Sequence, residues 1–217
     1  MGLALATHTL AYVLQNGDYP DEVDELRDQL RAINDLLLVE GLSPHHEPTT
    51  RGPATSRDTV GSVPYSFVHY LRRAYARACE YPDQPLTPVA DGEDPSEDDA
   101  VESVSSMFES HLLCHSDCEG FYVPVDFDVV LYPEPDIDIP GDMLGSSQGL
   151  LRELEYVAPY LGITLVDDEL PDDEIARISA ELNAVDEHPF FRELHTWLLF
   201  YETARVSIAN NTIITFS

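Results

Sequence analysis

Lysine is absent from the 217-residue sequence, and its positive charge comes from 11 basic residues, all arginine, against 41 aspartates and glutamates. The formal net charge is −30 at pH 7. Such a charge repels phosphate backbones, which disfavours direct nucleic-acid binding and docking on anionic membranes. It leaves a basic protein partner, which the negative field would attract and steer. A second explanation, adaptation of the surface to high salt with no bearing on partners, stays open.

Cysteine is scarce, and so are the signals that would place the chain outside the cytoplasm. Cys79, Cys114 and Cys118 are an odd number, which suits a reducing compartment better than a disulfide framework. No run approaches the ~18 apolar residues of a membrane span. The amino terminus has neither a basic n-region nor an A-x-A cleavage site. We therefore predict a cytoplasmic protein.

Familiar catalytic signatures are missing as well. The sequence has no Gly-rich phosphate loop, G-x-S-x-G elbow, H-E-x-x-H helix or C-x-x-C pair. This absence favours a non-enzymatic protein without a cofactor. The enzyme alternative depends on one unusual segment, described below.

The patterns that are present predict an α+β fold, mostly helical, with a small and mainly antiparallel sheet. We expect one domain over residues 1–217, with a helical part (1–82), an acidic linker (83–98) and a mixed part (99–217). Apolar residues at helical spacing predict helices near residues 3–14, 20–41, 62–81, 147–161, 172–185 and 189–207. Strands are expected in "FYVPVDF", in "ITLV" and in the terminal "NNTIITF".

The only concentration of basic residues lies on the predicted helix 62–81. Arg73 and Arg77 stand one helical turn apart, beside Arg72, and could grip a carboxylate or phosphate of a partner. Pairing with the many acids of the same chain is the alternative.

The segment "HLLCHSDCEGFYVPVDF", residues 111–127 and hereafter the box, is dense in reactive side chains. One interpretation is a Zn or Mn site, the centre of a metal-dependent hydrolase, with ligands from His111, His115, Asp117, Glu119 and Asp126. Strand alternation favours another, a β-hairpin whose turn ends at Gly120. In that hairpin Cys114 belongs to the core, and the two histidines share the opposite face with Asp126. Thiol catalysis by Cys118 is a third possibility, opposed by its acidic neighbours.

Three islands of sequence carry a resemblance. "HSDCEGFYVP", with the upstream "PYSFVHYLRR" and the closing "FFRELHTWLLFYETARVSIANNTIITF", resembles a loose group of uncharacterised bacterial proteins with an S-D-C-E-G box. The likeness covers about a quarter of the chain and implies a shared architecture and a bacterial, cytosolic origin. That group has no established activity, so it implies no catalytic residue.

Taken together, these patterns predict an acidic module that binds a basic protein partner, as immunity proteins and antitoxins do. The alternatives are the metal-dependent hydrolase and a protein whose charge reflects salt adaptation only.

Overall fold

The computed structural model describes residues 2–17, 20–58, 61–184 and 188–216. In chain order the helices are α1 (Thr9–Asn16), α2 (Pro20–Val39), α3 (Tyr65–Glu80), α4 (Asp99–Ser105), α5 (Ser147–Val157), α6 (Asp172–Leu182) and α7 (Phe191–Asn210). The strands are β1 (Gly2–Thr7), β2 (Ser62–Pro64), β3 (Phe121–Val123), β4 (Leu144–Ser146) and β5 (Ile214–Phe216). Short 3-10 turns lie at Pro95–Glu97, Pro140–Asp142 and Ala158–Leu161. The predicted fold class, α+β with more helix than strand, is confirmed.

The five strands form one sheet in the order β2-β1-β5-β3-β4. Every pairing is antiparallel except that of β3 with β4, which is parallel. Parallel neighbours need a crossover, and here it is residues 124–143, hereafter the crossover loop. It contains one 3-10 turn and neither an α-helix nor one of the five strands. Irregular connections of this length are uncommon in compact domains and are usually functional.

The sheet separates two hydrophobic layers. Tyr122 and Ile214 point into the larger layer, formed with α3, α5 and α7. Their neighbours Phe121, Val123 and Ile213 point to the other side, where α1, α2 and the crossover loop cover the sheet. This alternation is the period-two pattern of strands buried on both faces. Each fully buried large apolar side chain contributes roughly 1.5–3 kcal/mol relative to an exposed one.

Helix α7 is central, as its apolar sequence predicts. Most of its side chains are buried, including Trp197, whose Nε1–H donates to the carbonyl of Leu154 in α5 at 2.8 Å. Helix α5 begins where predicted, because the Ser146 hydroxyl accepts a hydrogen bond from the Gly149 N–H at 3.0 Å. Within the described ranges, no helix has the length and hydropathy needed to cross a membrane.

Two predictions of local structure outside the box are wrong. The amino terminus is strand β1 followed by the shorter helix α1, with His8 at φ 60° between them. Strand pairing of β1 with β2 and β5 overrides the apparent helical stripe, because Leu3 and Leu5 fit a strand equally well. "ITLV" forms only an isolated bridge between Val166 and Glu169.

The predicted box hairpin is also wrong. Residues 111–115 form turns, and only Phe121–Val123 is a strand, paired with β4 and β5. The expectation for Gly120 holds, since its φ is 112° and a Cβ there would stand 2.9 Å from the His115 ring. The box is therefore a compact turn leading into a central strand.

Candidate functional site

The arginine side chains are mostly occupied within the chain. Arg51 lies over the ring of Tyr12, and Arg192 over that of Tyr70. The others form ion pairs with carboxylates of the chain: Arg27, Arg31, Arg57, Arg72, Arg73, Arg77, Arg152, Arg177 and Arg205. Since positive charge is used internally, many exposed carboxylates have no cation beside them.

The three arginines of the predicted cluster on α3 are likewise paired within the chain. Arg72 donates to two backbone carbonyls of the box and to Asp117. The Nε of Arg73 and the Nη1 of Arg77 donate to the same oxygen of Asp98, at 2.8 and 3.0 Å. An external anion would have to displace these partners, and binding of a partner by the three arginines stays a prediction.

Both box histidines lie in the interior. The Nδ1 of His111 accepts a hydrogen bond from the Ser146 N–H at 3.1 Å. His115 is stacked between Tyr122 and Phe216, with ring centroids 4.2 and 4.6 Å away. Burial lowers the pKa of each imidazole to about 4. Both rings are therefore neutral near pH 7.

The five predicted metal ligands are engaged separately. Asp117 pairs with Arg72, Asp126 pairs with Arg152 at 2.6 Å, and Glu119 is exposed at the turn. His111 and His115 make the interior contacts described above. In the part of the chain that the structure describes, no group of three or more His, Cys, Asp or Glu side chains could hold a metal ion. The prediction that the two histidines and Asp126 share one face depended on the β-hairpin, which does not form.

The carboxylate of Glu153 in α5 explains why the box turns inward. Its Oε1 accepts from the N–H of His111 at 2.8 Å, and its Oε2 accepts from the N–H of Leu112 at 2.7 Å and the Ser110 hydroxyl at 3.0 Å. It thus satisfies backbone donors at the start of the turn. Burial raises the pKa of Glu153 to about 7, although these donors favour the charged form. No sequence pattern within the box indicates this distant partner.

A groove with acidic walls lies between α2 and the crossover loop. Glu25, Asp28 and Asp35 line it from the helix, and Asp136 and Asp138 from the loop. The groove measures about 810 Å³. These five carboxylates and their positions define the acidic groove. Its single basic lining residue is Arg31, which is already paired with Asp28.

Packing on the sheet places these carboxylates outward. In α2 the residues Leu26, Ile33 and Leu37 are buried, so the opposite side of the helix faces solvent. In the crossover loop, Leu131 and Ile139 are buried in the same layer. Its acids are exposed: Asp126, Asp128, Glu134, Asp136, Asp138 and Asp142.

Sequence reasoning missed the groove, although a signal was present. In "DFDVVLYPEPDIDI" acids alternate with apolar residues or prolines at several positions, which indicates a segment with one buried and one charged side. The long separation between α2 and the crossover loop hid the fact that the two acidic segments meet. A fixed array of five carboxylates with one arginine among them keeps an excess of negative charge and can bind a positively charged surface.

The second acidic surface comprises the predicted acidic linker (83–98) and the start of α4. Asp91, Glu97, Asp99 and Glu102 are exposed there, around the start of α4. Asp98 is held by the two arginines of α3, so part of this surface is neutralised and tied to the fold.

Fold and groove define an acidic α+β protein that presents carboxylates on a fixed scaffold. Residues 1–216 match the model of a protein family described as "Putative DNA-mimic protein", and the chain belongs to that family. No curated protein and no solved structure matches the chain significantly.

This membership corrects the prediction about partners. Composition suggested a basic protein partner and no direct binding of nucleic acid. The family description names DNA as the molecule that is imitated, so nucleic acid belongs in the account of recognition. On this basis the negative charge of the chain is a likeness to the phosphate backbone of DNA, and not only a reason why DNA is repelled.

Proposed function

We propose that the chain is a non-enzymatic DNA mimic, which occupies the DNA-binding surface of a DNA-binding protein and competes with duplex DNA for it. Family membership over residues 1–216 is the observation that carries this proposal. The acidic groove is the face that we assign to the contact.

The physical basis is the charge of duplex DNA. B-DNA carries one negative charge per ~1.7 Å of its axis, and proteins bind it largely through arginine and lysine contacts to phosphates. A groove with carboxylates on both walls offers the same cations an alternative set of anions. Because Asp136 and Asp138 stand on a loop packed against the sheet, the carboxylates are positioned before binding.

Salt dependence should resemble that of DNA only in part. Carboxylates on a protein do not condense a counterion atmosphere as dense as that of a duplex, so fewer ions are released on binding. The mimic should therefore lose affinity less steeply than DNA as salt rises. This difference would let it compete best at moderate and high ionic strength.

The test begins with proteins retained on heparin from a native lysate, which enriches DNA-binding proteins. They are passed over the immobilised full-length chain, and short mixed-sequence duplex DNA is used for elution. Any released protein is then bound to labelled duplex, and displacement of the duplex by the free chain is measured by fluorescence anisotropy. We expect duplex to release the bound protein and the chain to displace the duplex.

Two matched variants assign the face. The groove variant carries Glu25→Gln, Asp35→Asn, Asp136→Asn and Asp138→Asn. The linker variant carries Asp91→Asn, Glu97→Gln, Asp99→Asn and Glu102→Gln and removes the same number of charges. The groove variant should compete at least about tenfold less well, equivalent to about 1.4 kcal/mol. Proteins that leave the column with concentrated salt but not with duplex would contradict DNA mimicry, and equal losses in both variants would contradict the choice of face.

A further inference from the structure

Four exposed apolar residues lie at the junction of α4 and the crossover loop. Met107 and Phe108 follow α4, and Val129 and Tyr132 belong to the crossover loop. Their exposed fractions are 62%, 64%, 41% and 41%. The rings of Phe108 and Tyr132 meet edge to face, with centroids 6.2 Å apart. These four residues are hereafter the apolar patch.

The patch is held together by the backbone. The N–H of Val130 donates to the carbonyl of Glu109 at 3.1 Å, which fixes the turn after α4 against the crossover loop. Phe108 has φ 56°, in the left-handed region that a bulky side chain rarely adopts. The chain therefore accepts backbone strain at a residue whose side chain gains little from burial. Folding alone does not account for that arrangement.

Charge identifies what would cover the patch. Glu109, Asp128 and Glu134 are exposed within two residues of its members along the chain. None of the three forms an ion pair in the described ranges. An apolar centre with a carboxylate rim fits a positively charged protein surface that has apolar side chains among its cations. A second copy of this chain, which carries the same acids, would be repelled.

The patch and the acidic groove share the crossover loop. Tyr132 and Asp136 stand four residues apart in that loop, so one partner surface can contact both features. We propose that the apolar patch is the anchor of the interface with the DNA-binding protein, with Phe108 at its centre. This inference rests on the proposed function.

An apolar anchor supplies slow dissociation, which carboxylates alone do not. Rim charges mainly accelerate association and lose their effect in salt, whereas a buried aromatic residue slows dissociation. An apolar contact also distinguishes the protein partner from small cations. The patch should therefore determine the lifetime of the complex, and the groove its salt dependence.

Phe108→Asn tests the proposal without loss of folding, because asparagine tolerates the left-handed region. The control is Val166→Asn, at a residue that is 55% exposed and belongs neither to the patch nor to α2 or the crossover loop. The probe is the protein fraction that duplex DNA releases from the immobilised chain. Dissociation of that fraction is followed by biolayer interferometry over a series of salt concentrations, and the mass of the free chain by light scattering.

We expect Phe108→Asn to raise the dissociation rate at least about tenfold with an unchanged slope of log affinity against log salt. Val166→Asn should change neither quantity. A second outcome is that duplex DNA releases protein from the immobilised chain while the complexes of wild type and Phe108→Asn have equal lifetimes. That result overturns the anchor and leaves DNA mimicry standing. Duplex that releases nothing overturns both proposals. A wild-type dimer that Phe108→Asn converts to a monomer also overturns the anchor, since the patch would then seat a second copy.

Discussion

The carboxylate of Glu153 accepts a hydrogen bond from the backbone N–H of His111 at 2.8 Å, so a helix residue fixes the turn of the box. The same carboxylate also binds Leu112 and Ser110. The reactive side chains of the box are thereby directed into the core or to separate partners. What resembles a reactive centre in the sequence is a structural element that leads into the middle of the sheet.

Replacing Glu153 by alanine should destabilise the fold by about 2–4 kcal/mol, because two backbone donors and a hydroxyl lose their acceptor in a largely buried place. Urea denaturation followed by circular dichroism measures the change. Glu155→Ala is the control, since Glu155 belongs to the same helix and has no comparable set of donors. Similar losses for the two variants would show that the turn does not depend on Glu153.

Acid should weaken the fold through His115. Burial lowers its folded-state pKa from 6.5 to about 4, so the unfolded chain binds a proton that the folded chain does not. The contribution to stability is complete above pH 6.5 and falls as the pH drops towards 4. His115→Phe keeps the stack with Tyr122 and Phe216 but does not titrate. The stability of wild type relative to this variant should fall by up to about 1.4 kcal/mol for each pH unit that the pH drops in that window. A difference that is constant from pH 7 to 4.5 would exclude a neutral, buried His115.

Gly149→Ala should be destabilising, although alanine normally favours a helix. A Cβ at residue 149 would lie 2.1 Å from Cδ2 of His111, and the ring would have to leave its hydrogen bond with Ser146. We expect a loss of about 1–3 kcal/mol. In a His111→Ala background the same change should cost little or be favourable by about 0.5–1 kcal/mol. A double-mutant cycle by urea denaturation tests this coupling, and additive effects would contradict it.

Local patterns predicted the parts of the fold that depend on local periodicity. Helices α2, α3, α5 and α7 form where apolar residues at helical spacing predicted them, except that residues 62–64 of the predicted third helix are strand β2. The end of the chain forms strand β5 as predicted. The fold class followed from these elements.

The rest depends on contacts between residues far apart in the chain. Leu3 and Leu5 are compatible with a helix or a strand, and pairing with residues 62–64 and 214–216 decides for the strand. The acidic groove needs α2 and the crossover loop, which lie about a hundred residues apart in the sequence. Of the candidate site, composition predicted an acidic surface, but neither its location nor its relation to DNA.

If the acidic groove binds a partner, its carboxylates should destabilise the protein in the absence of that partner. Like charges that line one groove repel each other, and neutral amides would relieve that repulsion. In about 0.01 M salt, where the Debye length is ~30 Å, the groove variant should be more stable than wild type by about 1 kcal/mol. At 1 M salt, where it is ~3 Å, the difference should vanish.

The linker variant should gain less in the same experiment, because Asp99 and Glu102 lie in the first turn of α4, where negative charge is favourable. Thermal unfolding across a salt series measures both variants. Equal stabilisation of the two variants would indicate that the total charge of the chain, and not its concentration in the groove, lowers the stability. Destabilisation of the groove variant at low salt would mean that these carboxylates support the fold, and it would remove the reason for assigning them to a partner.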